Sequence, residues 1–410
     1  MASFSFGAGN AAKLARIPLY GAGRLVTLLL PRGERWVFGC GAGIADGALE
    51  IWRLAREQGV DAVWLTSSDE EAREAEERGM PHTRKMSWRG FWATARARVA
   101  VVTHGFGDVN PYGVTGAFVA QLWHGIPLKR IGLDAPEMVR SAFLPGSAVV
   151  RRVIAWMYRR AAQRIGAIPV ASHFVRGRFE SAFGIADSAI VVTGEPRVDA
   201  LSRGSDRERE TRAREILLRH LPHVGDRRLV LYAPTWRDGD PDPGVPTPSE
   251  WREISELAEQ HDVTFVIRSH RLGEGNYRPG IDTDRVALLG ADVLADITPA
   301  LPAFHALITD YSSLVYDATL VPLPALFLAP DLEQYAIRRG FYGRYEDVAA
   351  DAATTWHELI PRIDTLLGQD GERDRLVVRA RELSESVHAF RDGQNGRRML
   401  AAIFARVGKA

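Results

Sequence analysis

The chain has 410 residues, long for one domain and suited to two. Its 52 Lys+Arg against 51 Asp+Glu give a net charge of +1, which leaves no global basic character to suggest nucleic acid. One cysteine, Cys40, excludes an intrachain disulfide, no Cys/His cluster has zinc-site spacing, and no apolar run approaches a membrane span.

The first stretch of note is Ala11 to Leu30, with Lys13, Arg16 and Arg24 among Leu, Ile and Val. Arg24 splits its apolar run and no cleavage site follows Leu30, which argues against a signal peptide. Two readings stay open: a helix packed on the body, or an interfacial helix on a membrane. Arg35 to Gly39 reads as the first buried strand. Gly39, Gly41 and Gly43 and a helical pattern through Leu49, Trp52 and Leu54 follow it. The G-x-G-x-G spacing is not the dinucleotide fingerprint. Val60–Leu65 is the next strand, Glu70–Arg78 and Trp88–Arg96 are helices, and Val99–Thr103 is a strand ending in His104-Gly105. Gln121, Leu122 and Trp123 read as a strand end, with His124-Gly125 where the chain turns over. His124 is read either as a satisfied buried histidine or as a site residue, since ligands bind at strand C-termini of open α/β sheets.

Met138 to Arg164 is a basic amphipathic stretch carrying Arg140, Arg151, Arg152, Arg159, Arg160 and Arg164 around Val153, Trp156 and Met157. It suits a solvated helix face or acidic lipids. Ile168–Ala171 and Ile190–Thr193 are strands around a helix at Val175–Phe183, and Gly194-Glu195-Pro196-Arg197 follows. The charged run Ser202–Arg214 marks a domain boundary. The strand–helix rhythm then restarts. Leu229–Ala233 leads to Thr235 and Arg237, and Val263–Arg268 leads to Ser269-His270. Val286–Leu289 is a short strand and Val293–Ile297 a helix or turn. Ala306–Ile308 enters a turn with Asp310, Ser312 and Ser313 that opens a helix. That turn fits an ordinary N-cap or a phosphate site. Pro324–Leu328 is a strand, and helices at Thr354–Leu367 and Leu376–Val407 close the chain, the last interrupted at His388–Gly396.

Alternating strands and helices in both halves predict an α/β fold with largely parallel sheets, its two halves facing each other across a cleft. The expected divisions are an N-terminal segment at 1–34, a first α/β domain at 35–205 and a second at 206–410. The final helix is expected to pack back on the first domain. The polar strand ends His124, Thr235, His270 and Asp310–Ser313 suit chemistry on a phosphorylated substrate. Histidine takes a hydroxyl proton near neutral pH, and arginines and helix amides hold phosphate charge.

Seven segments occur in order from about Trp36 to Arg397: RWVFGCGAGIADG, QLWHGIPLK, GEPRVD, LYAPTWRD, IRSHR, LITDYSSLVYD and DLEQY…RGFY. By them the chain resembles the CDP-glycerol glycerophosphotransferases of teichoic acid synthesis, which implies a GT-B-like fold of two Rossmann-like domains, that at 35–205 on the acceptor side and that at 206–410 binding the CDP donor. The resemblance implies transfer of a polyol phosphate from a CDP-activated donor, CDP-glycerol or CDP-ribitol, to a hydroxyl of a lipid-linked saccharide, with release of CMP. It implies that His124 is the general base and that His270 contacts the donor diphosphate. Ser312 and Ser313 would bind phosphate, Thr235 and Arg237 would line the donor pocket, and Asp392 with Gly393 the far side of the cleft. Asp310, Arg197 and Arg268 join them as substrate contacts. It further implies a peripheral protein on the cytoplasmic face of the cell membrane, without nucleic-acid partners. No cofactor or metal is required, and Asp310 and Asp317 are the carboxylates a metal would use.

Three positions depart from the family's pattern. Glu195 stands where an aromatic residue is common, Leu323 where a basic one is, and Arg271 where a proline is. If the basic residue grips donor phosphate, Arg338, Arg339 or Arg268 takes its place. The rivals are a GT-B glycosyltransferase using a nucleotide sugar and a membrane-associated scaffold without catalysis.

Overall fold

The structure is a computed structural model and describes residues 17–135, 147–237, 242–269 and 277–408. Parts of four expectations lie outside these residues: the start of the N-terminal segment, Arg140 with the beginning of the Arg-rich stretch, His270, and Arg271.

The chain divides into two compact units, one of residues 1–124, 130–199 and 394–410, the other of 125–129 and 200–393. In the first unit a helix α1 (Ile17–Leu29) precedes seven strands. They are β1 (Trp36–Phe38), β2 (Ala62–Thr66), β3 (His82–Arg84), β4 (Val99–Val102), β5 (Phe118–Gln121), β6 (Ile165–Val170) and β7 (Ile190–Val192). They form one sheet in the order β3-β2-β1-β4-β5-β6-β7, with every pairing parallel. The helices between them are α2 (Asp46–Glu57), α3 (Asp69–Glu77), α4 (Trp88–Ala95), α5 (Ala148–Ala162) and α6 (His173–Phe183). Parallel strands covered on both faces read as continuous apolar runs, and β4, VAVV, is buried at every position.

The second unit has α7 (Asp206–His220), β8 (Arg228–Ala233), α8 (Pro248–Gln260), β9 (Val263–Ile267), β10 (Val286–Leu288) and β11 (Ala306–Thr309). It continues with α9 (Leu314–Ala318), β12 (Ala325–Phe327), α10 (Leu332–Arg338), α11 (Trp356–Gly368) and α12 (Asp370–Val387). Its sheet runs β10-β9-β8-β11-β12, again all parallel. The expected α/β class with Rossmann-like sheets is met in both units.

The last helix, α13 (Asn395–Val407), belongs to the first unit. Its Met399, Leu400 and Ile403 join Trp36, Phe38, Ile51 and Trp64 in one core cluster. The GEPRVD segment holds its start: Asp199 accepts from the amides of Asn395 and Gly396 at 2.9 and 2.8 Å. Gly194 has φ +74°, and a Cβ there would stand 2.2 Å from Asn395 Oδ1. That segment's Gly and Asp are thereby explained as a clamp on a helix N-terminus.

Two local expectations need correction. The strand β3 was not expected, because His82-Thr83-Arg84 has no apolar residue; it forms by pairing along β2 at the sheet edge. Leu122 and Trp123 lie beyond the end of β5, and Trp123 takes φ +62°. Val293–Ile297, expected as a helix or turn, is non-helical with Val293 in a turn, so the second alternative holds.

Candidate functional site

In each sheet the strand order reverses between the first strand and the fourth, at β1/β4 and at β8/β11. Crevices beyond strand C-termini at such points are where open α/β sheets bind ligands. The polar strand ends fall at or beside these two places.

In the first unit the loop after β1 brings Gly41 to the loop after β4. The Gly41 amide donates to His104 Nδ1 at 3.2 Å. A Cβ on Gly41 would stand 2.8 Å from that ring, so glycine permits the approach. Asp108 holds the His104 loop by accepting from the amides of Thr103, His104 and Gly105 at 2.9, 2.7 and 3.3 Å. The His104 ring lies parallel to that of His124, with centroids 4.5 Å apart and planes 4° apart. His124 is half-buried and aimed by the left-handed Trp123, a conformation that costs about 1–2 kcal/mol outside glycine. The Trp123 ring pays part of that back by edge packing on Phe179 and Phe183 at 6.2 and 5.2 Å.

The electrostatics keep both rings neutral. Burial, then the charges of His104 and Arg197, push the His124 pKa well below its ordinary value. Burial and Arg197 push His104 down to about 4. His124 Nδ1 is buried without a well-formed hydrogen bond. The Thr103 backbone is the hydrogen-bond partner that favours the protonated ring, and it is outweighed by burial. Arg197, expected as a substrate contact, sits in the same unit and meets Asp46, at the start of α2, at 3.6 Å.

In the second unit the loops after β8 and β11 are tied together. The Thr235 amide donates to both Asp310 oxygens, at 2.8 and 3.0 Å. Arg237, 7% exposed, donates to Asp310 at 2.9 Å and bidentately to Asp331 at 2.8 Å for each bond. Its guanidinium also lies over the rings of Tyr311 and Tyr335, at 4.9 and 5.0 Å. Burial lowers its pKa, but the bonds to Asp331 and the charge of Asp310 outweigh this and hold it above the ordinary value. Arg237 and Asp310 thus frame the loops after β8 and β11 with their polar groups turned on each other. The Thr235 hydroxyl is different: Oγ1 is buried without a partner, as is Ser269 Oγ, next to His270.

The remaining expected residues divide. Ser312 and Ser313 are half-buried directly after Tyr311. The ordinary N-cap reading does not hold at Ser313, which has helical backbone angles and no side-chain cap bond. Ser312 Oγ accepts loosely from the Leu314 amide at 3.3 Å. The helix they precede, α9, has five residues and so offers little dipole. Arg268 is spent on backbone: it donates to the carbonyls of Leu289, Gly290, Leu294 and Ala295. Asp392 is exposed, and the Gly393 carbonyl accepts from Arg203 at 3.1 Å. Leu323 is buried ahead of β12, at the strand's N-terminal end. The departure at 323 therefore lies at the opposite end of the sheet from Asp310 and Thr235. Among the described residues no group of three or more His, Cys, Asp or Glu is placed to hold a metal ion.

Sequence reasoning singled out neither His104 nor Asp331 for the site. The signal for His104 was present as a second His-Gly pair at a strand end. Asp331 gave none, because its meaning is its contact with Arg237.

The family model for CDP-glycerol:poly(glycerophosphate) glycerophosphotransferase matches residues 41–405. A teichoic acid glycerol-phosphate transferase of Staphylococcus aureus (strain NCTC 8325 / PS 47) is 25% identical over 80% of this chain and 82% of its own length. A teichoic acid poly(glycerol phosphate) polymerase of Bacillus subtilis (strain 168) is 26% identical over 72% of this chain, which spans 38% of that protein. In fold, the structure of the wall teichoic acid polymerase TagF matches 97% of this chain and 96% of its own, with TM-score 0.74 and 20% identity. That match gives the GT-B-like class expected from the sequence. The chain is an enzyme of the transferase class and belongs to the CDP-glycerol:poly(glycerophosphate) glycerophosphotransferase family.

Proposed function

We propose that the protein transfers a polyol phosphate, glycerol phosphate first, from a CDP-linked donor to a hydroxyl of a lipid-linked acceptor in teichoic acid or related polymer synthesis. The second unit takes the donor and the first supplies the base. His124 accepts the proton of the acceptor hydroxyl. The freed oxygen attacks the donor's β-phosphorus, the phosphoanhydride bond breaks, and CMP leaves with the bond's electron pair. Thr235, Ser312 and Ser313, with His270, offer hydroxyl and ring donors to the donor phosphates. Phosphoryl transfer asks the protein for positioning and charge stabilisation more than for covalent chemistry.

The observation that carries this reading is the state of His124. An imidazole kept neutral at the end of a parallel strand, in a turn that stores strain, is ready to take a proton at pH 7. The family match supports phosphotransfer over sugar transfer or a scaffold.

The acceptor's lipid places the protein at the cytoplasmic face of the membrane. On α1, Leu19, Leu25, Leu28 and Leu29 are exposed. On α5, Val149, Val153, Trp156 and Met157 are exposed beside the exposed Arg151, Arg152, Arg159 and Arg160. Apolar side chains among arginines suit an interfacial helix on anionic lipid. Among the described residues no helix is long and apolar enough to cross a membrane.

The test is product analysis. Purified protein with a lipid extract is given CDP-glycerol, CDP-ribitol and a set of nucleotide sugars, and released nucleotides are separated by chromatography. CMP from one CDP-polyol is the expected result. A nucleoside diphosphate from a sugar donor would overturn the reading.

A further inference from the structure

Lys129 ends the QLWHGIPLK segment and has no part in the chemistry above. Its backbone lies in the second unit with residues 125–129. The Tyr342 amide donates to the Leu128 carbonyl at 2.9 Å, and Lys129 forms an antiparallel bridge with Phe341. This short strap is fixed beside the pocket frame. The Lys129 ammonium lies 5.9 Å from the centroid of the Tyr335 ring, which stacks on Tyr311 at 4.0 Å.

Among the described residues that ring is its close contact, and no carboxylate or carbonyl is within hydrogen-bond or ion-pair distance. The nearby acids are committed elsewhere, Asp310 to Thr235 and Arg237, and Asp331 to Arg237 and the Tyr311 hydroxyl. The charge of Asp310 favours the ammonium, while Arg339 and Arg237 oppose it; burial, the largest effect, pushes its pKa down to about 8. A half-buried cation without a paired anion, in company with two further cations, gains from an arriving anion. Asp310, whose charge the ammonium feels, leads directly into Tyr311, Ser312 and Ser313, the turn that carries the candidate phosphate hydroxyls.

We propose that Lys129 binds the diphosphate of the donor in the second unit, an inference that rests on the donor reading above. The anion takes the place of the missing carboxylate and keeps the ammonium protonated. Met at this position preserves the stem over Tyr335 and removes the charge. Arg keeps the charge.

The experiment is calorimetric titration of the full chain with CDP and with cytidine, for wild type, Lys129→Met and Lys129→Arg, with melting temperatures alongside. The expected result is a 10- to 100-fold loss of CDP affinity in Lys129→Met, an unchanged cytidine affinity and CDP binding largely kept in Lys129→Arg. The second readout is pH dependence in wild type. CDP affinity falls as the pH rises past about 8, where the free ammonium loses its proton. The groups facing Lys129 are Asp310, Arg237, Arg339 and the Tyr335 phenol, and the pH dependence vanishes in Lys129→Met if it belongs to the lysine. Failure of wild type to bind CDP would overturn the donor reading itself. CDP binding by wild type that is equal in Lys129→Met, or flat from pH 7 to 9.5, would overturn the role of Lys129 alone. If Lys129→Met does not fold, the wild-type pH series decides.

Discussion

Arg237 and Asp331 face each other in a two-bond fork, Nε to Oδ2 and Nη2 to Oδ1, each 2.8 Å long. The two residues are separated by 94 positions in sequence and join the loop after β8 to the start of α10. Because the guanidinium also reaches Asp310, one side chain fixes three loops around the candidate donor pocket. Removing one partner leaves a buried charge behind, which costs roughly 3–5 kcal/mol. Arg237→Ala is therefore expected to lower the melting temperature sharply and to abolish CDP binding in calorimetry. A variant that melts like wild type would refute the framing role.

The same pair sets an acid limit. Burial raises the Asp331 carboxyl, but the bonds from Arg237 outweigh it and leave its pKa below the ordinary value. A carboxyl depressed on folding contributes stability above its unfolded pKa, about 3.9, and loses it as pH falls through the folded value. Urea unfolding should show stability declining below about pH 4 in wild type. Asp331→Asn should be less stable at pH 7 and flatter in acid.

His124→Ala should lower kcat by roughly 10² to 10⁴-fold while CDP affinity is kept. CMP release and calorimetry read the two quantities separately. Loss of donor binding in this variant would show that His124 is not on the acceptor side.

His104 should reveal itself in the pH profile. A base with a lowered pKa keeps its activity down to that pKa, so wild-type kcat/KM should hold well below pH 6.5. His104→Ala opens the site and removes one of the causes of the depression, leaving Arg197, itself 3.6 Å from Asp46, as a charged neighbour. The acid limb should move up towards 6.5. An unmoved limb with reduced kcat would reduce His104 to packing.

Gly194→Ala tests the clamp on α13. The left-handed φ and the clash with Asn395 together should cost about 1–3 kcal/mol. Thermal melting is the measurement, and an unchanged melting temperature would mean that Asn395 moves aside freely.

Lipid binding by α5 is open to a vesicle sedimentation assay. Trp156→Glu should reduce retention on anionic vesicles, and added salt should reduce it in wild type. Equal retention on neutral vesicles would exclude the arginines from the interaction.

The sequence by itself determined the class of fold, because buried parallel strands are written locally: WVF, VAVV and the run after Arg228 announce themselves through unbroken apolar character. It also placed His124, Thr235 and Asp310 at strand ends, since a strand stops where its apolar run meets polar and glycine residues. The polar edge strand at His82–Arg84 carried no such mark, and pairing along β2 created it. The site's inner logic was likewise not local. His124 lies against His104 because β4 and β5 are neighbours in the sheet. Arg237, read as a ligand contact, proved to be committed to Asp310 and Asp331, and Arg268 to backbone carbonyls. Lys129, five residues from His124 in the same motif, went to the other unit. Such assignments depend on which loops meet in space, and only the packing of the sheets and the strap at 125–129 decides that.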